Sequence, residues 1–232
     1  MSIILRRFLA FLGLAVLAAC AAPSGNSQLG TQWGEGVESQ VRGADVRRAS
    51  AMPLTVSTLH YSADAGRGAS VRELQLADGR AGLRVLRENG QPWPIWQAGP
   101  AHLQGRMGQR YILEYRNYSS VQSYEIVATV DGLDVLNGRA GSLRNRGYVL
   151  RPGEVLRIEG FRKDRSEVAA FRFSAPADAY AANSRAGSRS NIGVIGTAVF
   201  ELVTPAPRPN GPRAFPGDRG QTGFAPPPTY QQ

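Results

Sequence analysis

The chain has 232 residues, with 27 Lys and Arg against 18 Asp and Glu and a formal net charge of +9. That length suits one folded domain with extensions better than two full domains. A single cysteine excludes an intrachain disulfide framework, and two histidines far apart in sequence, His60 and His102, supply too few ligands for a transition-metal site.

The chain opens with Arg6 and Arg7, then an apolar run from Phe8 to Leu17, then Leu17-Ala18-Ala19-Cys20. The run is too short to span a bilayer, which takes about 20 apolar residues. Basic, apolar and small segments in that order are the layout of a secretory signal. The last four residues resemble the lipobox of bacterial lipoproteins at every position. The resemblance implies diacylglycerol on the sulfur of Cys20, cleavage between Ala19 and Cys20, and acylation of the new amino group. Three acyl chains, palmitate among them, then hold the protein on a membrane, since each buried methylene contributes about 0.8 kcal/mol. Residue 21 is Ala rather than Asp, which by enterobacterial sorting rules implies the outer membrane, facing the periplasm. Removal of residues 1–19 leaves 213, with the folded part free of cysteine.

Residues 21–50 are rich in Gly, Ser and Gln without sustained periodicity, and read as a flexible tether. Ser70-Val-Arg-Glu73 has the spacing of a helix capping box, predicting a short helix near 70–77, while Asp78-Gly79 offers a hairpin instead. Strands are predicted at 82–86, 111–115 and 123–130, the last with Tyr124, Ile126, Ala128 and Val130 on one face. Asp131-Gly132 turns the chain into a short return strand at 133–136, and Asn137-Gly138 marks a second turn. Further strands are predicted at 147–150, 154–161, 168–173 and 191–201. Mixed faces at 154–161 suggest an edge or a local twist. Gly193 and Gly196 suggest a bulge or a close backbone approach. The segment 174–190 is small, polar and too long for a tight turn, and Arg185 and Arg189 make it cationic. Proline from Thr204 onward predicts a disordered, partly polyproline-II tail.

Seven or more short strands with regular turn signals predict an all-β fold, a single antiparallel β-sandwich, with a closed barrel as the alternative. The expected boundaries are 1–19 signal peptide, 20–53 anchor and tether, 54–203 sandwich and 204–232 tail. Residues 80–201, with "VDGLDVLNG", "RGYVLRPGEVLRIEGFR", "EVAAFRFS" and "NIGVIGTAVFE", resemble a group of uncharacterised proteobacterial envelope proteins. That resemblance implies a β-sandwich and a bacterial envelope origin, and assigns no activity.

The sequence contains no Gly-x-Ser-x-Gly elbow and no phosphate-cradling glycine loop. The sequence assigns no catalytic residue, no metal ligand and no cofactor. Asp131, Asp134, Glu154 and Glu159 are the remaining acid candidates for glycan hydrolysis, which needs two carboxyls across one bond. Trp93 and Trp96, set among prolines, suggest a rigid aromatic loop able to stack on sugars. These two, with Arg185 and Arg189, are the candidate ligand-binding residues. Almost all the positive charge is arginine, Lys163 being the only lysine, which matches the codon usage of a GC-rich genome. The simplest reading of the charge is therefore a solvated basic surface. An exported protein without an aromatic–basic motif points away from nucleic acid. Its expected partners are membrane lipid through acylated Cys20, and envelope proteins or anionic envelope glycans. The sum is a non-catalytic lipoprotein with a binding or scaffolding role. Carbohydrate or peptidoglycan recognition through Trp93 and Trp96 is the alternative, and a glycan-acting enzyme a third reading.

Overall fold

A computed structural model describes residues 27–203. Residues 1–19, expected to be a signal peptide, Cys20 and the proline-rich segment 204–232 lie outside the described residues. The strands are β1 (Gly30–Glu38), β2 (Thr55–Ser62), β3 (Ser70–Val71), β4 (Leu74–Leu76), β5 (Ala81–Arg87), β6 (Ile95–Trp96), β7 (His102–Gln104) and β8 (Tyr111–Asn117). They continue with β9 (Tyr124–Val130), β10 (Leu133–Asp134), β11 (Tyr148–Leu150), β12 (Val155–Ile158), β13 (Gly160–Arg162), β14 (Glu167–Ser174) and β15 (Val194–Glu201). Among the described residues one short α-helix, α1 (Tyr180–Asn183), lies between β14 and β15, flanked by 3-10 turns at Pro176–Asp178 and Arg189–Asn191.

The strands form three sheets, none closed into a barrel, and the architecture is the expected all-β sandwich. The largest sheet runs β10-β9-β15-β2-β7-β6-β3, with β11 also paired to β9. A second runs β12-β8-β5-β4 and a third β1-β14-β13. Pairing is antiparallel except between β2 and β7. The parallel pair sets His60 directly beside His102, so two residues far apart in sequence are neighbours in the sheet.

β9 shows why these residues make strands. Its sequence YEIVATV is aromatic and β-branched at the positions that pack, and six of its seven residues are buried because both faces are covered. The inner face meets β8, where the Tyr115 hydroxyl hydrogen-bonds Thr197 Oγ1 of β15 at 2.8 Å. The outer face carries a small cluster of Val127, Ala198 and Phe200. A column of rings ties the third sheet to the rest. Tyr111 stacks on Phe173 at 4.5 Å and on Phe171 at 5.3 Å, and Phe161 meets Phe171 edge-on at 5.1 Å.

Several sequence expectations are corrected. Residues 30–38, placed in the tether, form β1, in register with β14 from Gly30↔Ser174 to Glu38↔Glu167 around a bulge between Trp33 and Gly36. The folded domain therefore begins well before residue 54. Residues 70–77 form no helix. The alternative, a hairpin at Asp78-Gly79, is what forms: the backbone turns through left-handed conformations at Ala77, Asp78 and Gly79, and β4 pairs antiparallel with β5. The predicted strand 154–161 is two strands in two sheets: Val155–Ile158 pairs with β8 and Gly160–Arg162 with β14. The switch needs a glycine, since a Cβ on Gly160 would lie 2.0 Å from the carbonyl oxygen of Ala169. The segment 174–190 is a folded cap on β1, held by Tyr180, whose ring lies 4.8 Å from Trp33 and 4.9 Å from Phe161.

Candidate anion-binding cleft

Beyond β1 the chain does not cross directly to β2. Residues 39–50 run as a strap along the end of the sandwich. Ser39 and Val41 donate their N–H groups to the carbonyls of Ser166 and Arg165 at 2.7 and 2.9 Å. At the far end, Ala49 N–H reaches the Glu201 carbonyl at 2.8 Å and Val203 N–H reaches that of Arg47 at 2.9 Å. Two arginines rivet the strap. Arg162 donates to the carbonyl and hydroxyl oxygens of Ser39 and to the Tyr148 hydroxyl. Arg48 pairs with Glu125 at 2.6 Å, donates to the carbonyls of Leu143 and Asn145, and lies 3.6 Å above the Phe200 ring.

Strap, β11, β12 and the 144–146 loop together enclose a cleft of about 1090 Å³ lined by nine arginines and two glutamates. Both glutamates are committed. Glu125 is 5% exposed and accepts from Arg48 and from Gly147 N–H at 2.6 Å. Glu154 accepts Arg151 N–H at 2.7 Å and faces its guanidinium at 3.8 Å. Arg157 is held by Glu114 at 3.0 Å. The other five, Arg42, Arg47, Arg144, Arg146 and Arg165, are exposed and form no side-chain hydrogen bond or ion pair among the described residues. The strap's one acid, Asp45, is not part of the lining.

Arginine guanidinium offers a rigid fork of donors that matches carboxylate and phosphate oxygens two at a time. Five such forks, on the strap, the 144–146 loop and the β13–β14 hairpin, converge on one concavity. Low-dielectric walls on either side focus their field. The sequence reading missed this site because the arginines are scattered over more than a hundred positions and codon usage accounts for their number. Only the fold brings them together.

The wall bearing Arg144 and Arg146 is held in place by Asp134. Its Oδ1 accepts the N–H groups of Leu136 and Asn137 at 2.8 and 3.1 Å, and its Oδ2 accepts the Asn145 side chain at 2.8 Å. Asp131 is equally structural. It accepts N–H groups from Thr31 and Gly193 at 2.8 Å each and the Tyr61 hydroxyl at 2.6 Å. Thr31 Oγ1 in turn hydrogen-bonds the hydroxyls of Tyr61 and Tyr111, both at 2.7 Å. Burial raises the Asp131 carboxyl above its ordinary value, against the lowering effect of these donors. Burial likewise pushes the Tyr61 and Tyr111 hydroxyls well above the tyrosine range. Glu159 is ion-paired with Arg110, and of the four acid candidates Glu154 alone lines the cleft. No two of them face a shared opening there, so the carboxylate pair expected of a glycosidase has no basis in this cleft.

The expectation for Trp93 is also corrected. Trp93 is 4% exposed, edge-on to Phe173 at 6.2 Å, with Arg87 4.3 Å above its ring. It belongs to the core and presents no face to a sugar. Trp96 is half-buried against Gly66, where a Cβ would lie 2.1 Å from its ring. Arg185 and Arg189 are exposed on the cap, outside the cleft lining. His102 lies 3.4 Å from Ser62 Oγ and 3.3 Å from the Asp64 carbonyl, and His60 is exposed. Among the described residues no three His, Cys, Asp or Glu side chains gather as a metal site. No helix among them is long and apolar enough to cross a membrane. A smaller groove of about 360 Å³ on the outer face of β2, β15 and β9 has no charged side chain in its lining. No protein-family model matches the chain, nor does any curated protein or solved structure.

Proposed function

We propose that this protein is a non-catalytic lipoprotein of the bacterial outer membrane, anchored by acylated Cys20 and facing the periplasm, whose β-sandwich binds an anionic envelope partner. The observation that carries the reading is the cleft in which five arginines stand without partners among the described residues. Uncommitted guanidinium groups at close quarters repel one another, and an oxyanion ligand relieves that repulsion. The anchor rests on the Leu17-Ala18-Ala19-Cys20 sequence. Tethering confines the module to one membrane and raises its effective concentration there.

Two measurements test the reading. Metabolic labelling with an alkyne fatty acid should mark the wild-type protein and spare Cys20→Ser, and equal labelling of both would remove the anchor. Purified protein should bind dextran sulfate, and a triple R144Q/R146Q/R165Q variant should elute from that polymer at clearly lower salt. Unchanged elution would remove the cleft from the account.

A further inference from the structure

From the course of β1 and the charge of the cleft, we infer that the cleft faces away from the anchoring membrane and takes an oxyanion-bearing glycan polymer rather than lipid headgroups. This rests on the reading that Cys20 carries the anchor.

The chain enters the sandwich at Gln28, which bridges to Ser62, and at Gly30, which packs beside Ala179 and Ile192. Ten residues separate Cys20 from Gly30, at most about 35 Å when extended. The entry end of the domain is thus the membrane-proximal end. β1 then runs nine residues to Glu38, on the order of 25 Å at about 3.3 Å per residue. The cleft begins at Ser39. β2 confirms the polarity independently. It starts beside the strap at Thr55, runs the other way, and ends at Ser62, the residue bridged to Gln28. The arginine cleft and the anchored end therefore sit at opposite ends of the same strands.

The chain's own extensions do not complement the cleft. Residues 20–29 contain no acid, and residues 204–232 carry Arg208, Arg213 and Arg219 against Asp218. The described chain ends at Val203, whose N–H bonds to the Arg47 carbonyl at 2.9 Å, and neither extension has a net negative charge to offer. The occupant comes from outside the chain and is anionic. Five arginines on three separate segments suit a polymer with repeated carboxylate or phosphate groups better than a single small anion. A fixed polymer held off the membrane surface is within reach of this end. Headgroups of the anchoring leaflet are closer to the other.

Full-length protein carrying Cys20→Ser, freed of the anchor, tests this against two surfaces at about 0.15 M salt, where screening beyond about 8 Å suppresses diffuse attraction. The probes are purified peptidoglycan sacculi, whose peptide stems bear carboxylates, and vesicles of phosphatidylglycerol with phosphatidylethanolamine. The cleft variant is R144Q/R146Q/R165Q. The charge-matched control is R106Q/R185Q/R189Q, at exposed positions outside the cleft lining. Expected is co-sedimentation with sacculi that weakens about tenfold or more in the cleft variant and is kept by the control. Equal binding of the two variants to sacculi overturns the inference, as does no binding by the parent. A cleft-dependent loss on vesicles without one on sacculi assigns the cleft to headgroups and overturns it too. Fatty-acid labelling at Cys20 reads the anchor separately, so the two failures are distinguishable.

Discussion

Asp131 offers the sharpest test of how the sandwich is held together. It sits at the start of the β9–β10 turn with φ at 53°, and its carboxylate collects donors from three segments: Thr31 of β1, Tyr61 of β2, and Gly193 before β15. Asp131→Ala leaves two buried N–H groups unpaired, each costing about 1–3 kcal/mol. It also places alanine in a left-handed conformation, at about 1–2 kcal/mol. The sum is about 3–8 kcal/mol, a large share of the roughly 5–15 kcal/mol of a typical domain. Asp131→Asn tolerates the backbone and keeps one acceptor, so it should cost less, about 1–3 kcal/mol. Urea unfolding followed by tryptophan fluorescence reads both. The pH dependence carries a sign. The folded carboxyl is raised above its ordinary value, so its favourable contribution is complete below that value and is lost as pH rises through the raised one. The advantage of wild type over Asp131→Asn should therefore shrink as pH rises across that interval. A cost below about 1 kcal/mol for Asp131→Ala would refute the view that this carboxylate clamps β1 to the sandwich.

Asp134→Ala frees the Asn145 side chain and two backbone N–H groups, and should weaken dextran sulfate binding although it removes a negative charge near the cleft. Tighter binding would mean that Asp134 acts through its field rather than by holding the 144–146 wall. Gly160→Ala forces a methyl against the Ala169 carbonyl at 2.0 Å and should destabilise by about 1–3 kcal/mol or more in urea titration; a neutral result would show that the β12-to-β13 switch has room to shift. Trp93→Phe should leave sacculus binding unchanged and cost little stability, because the indole Nε1 is buried without a hydrogen-bond partner among the described residues. A binding loss on that substitution would restore the aromatic-platform reading.

What the sequence showed and hid follows from the physics of each segment. β8, β9 and β14 were legible because their aromatic and β-branched runs are buried by any sandwich. The turn at Asp131-Gly132 was legible from its residues, but the carboxylate's role as a three-segment clamp depends on long-range partners. β1 was hidden because GTQWGEGVE has little apolar alternation. Its pairing comes from β14's backbone edge, and Gly34 is required where a Cβ would lie 2.6 Å from the Ala170 carbonyl. Gly193 makes the expected close backbone approach, with φ at 92° and a Cβ there lying 3.1 Å from the Tyr61 carbonyl oxygen, whereas Gly196 makes room for a side chain, since a Cβ there would lie 2.4 Å from Thr129 Oγ1. Proline beside Trp93 suggested exposure, whereas the ring fills the core beside Phe173. The cleft was the least legible feature, since no local pattern links Arg42, Arg144 and Arg165.

Hydrogen–deuterium exchange with and without dextran sulfate locates the binding surface directly. Added protection is expected in residues 39–50, 144–149 and 163–166, with the cap at 180–191 unchanged. Protection confined to the cap or to the loop around Trp96, with the strap unaffected, would contradict binding in the cleft.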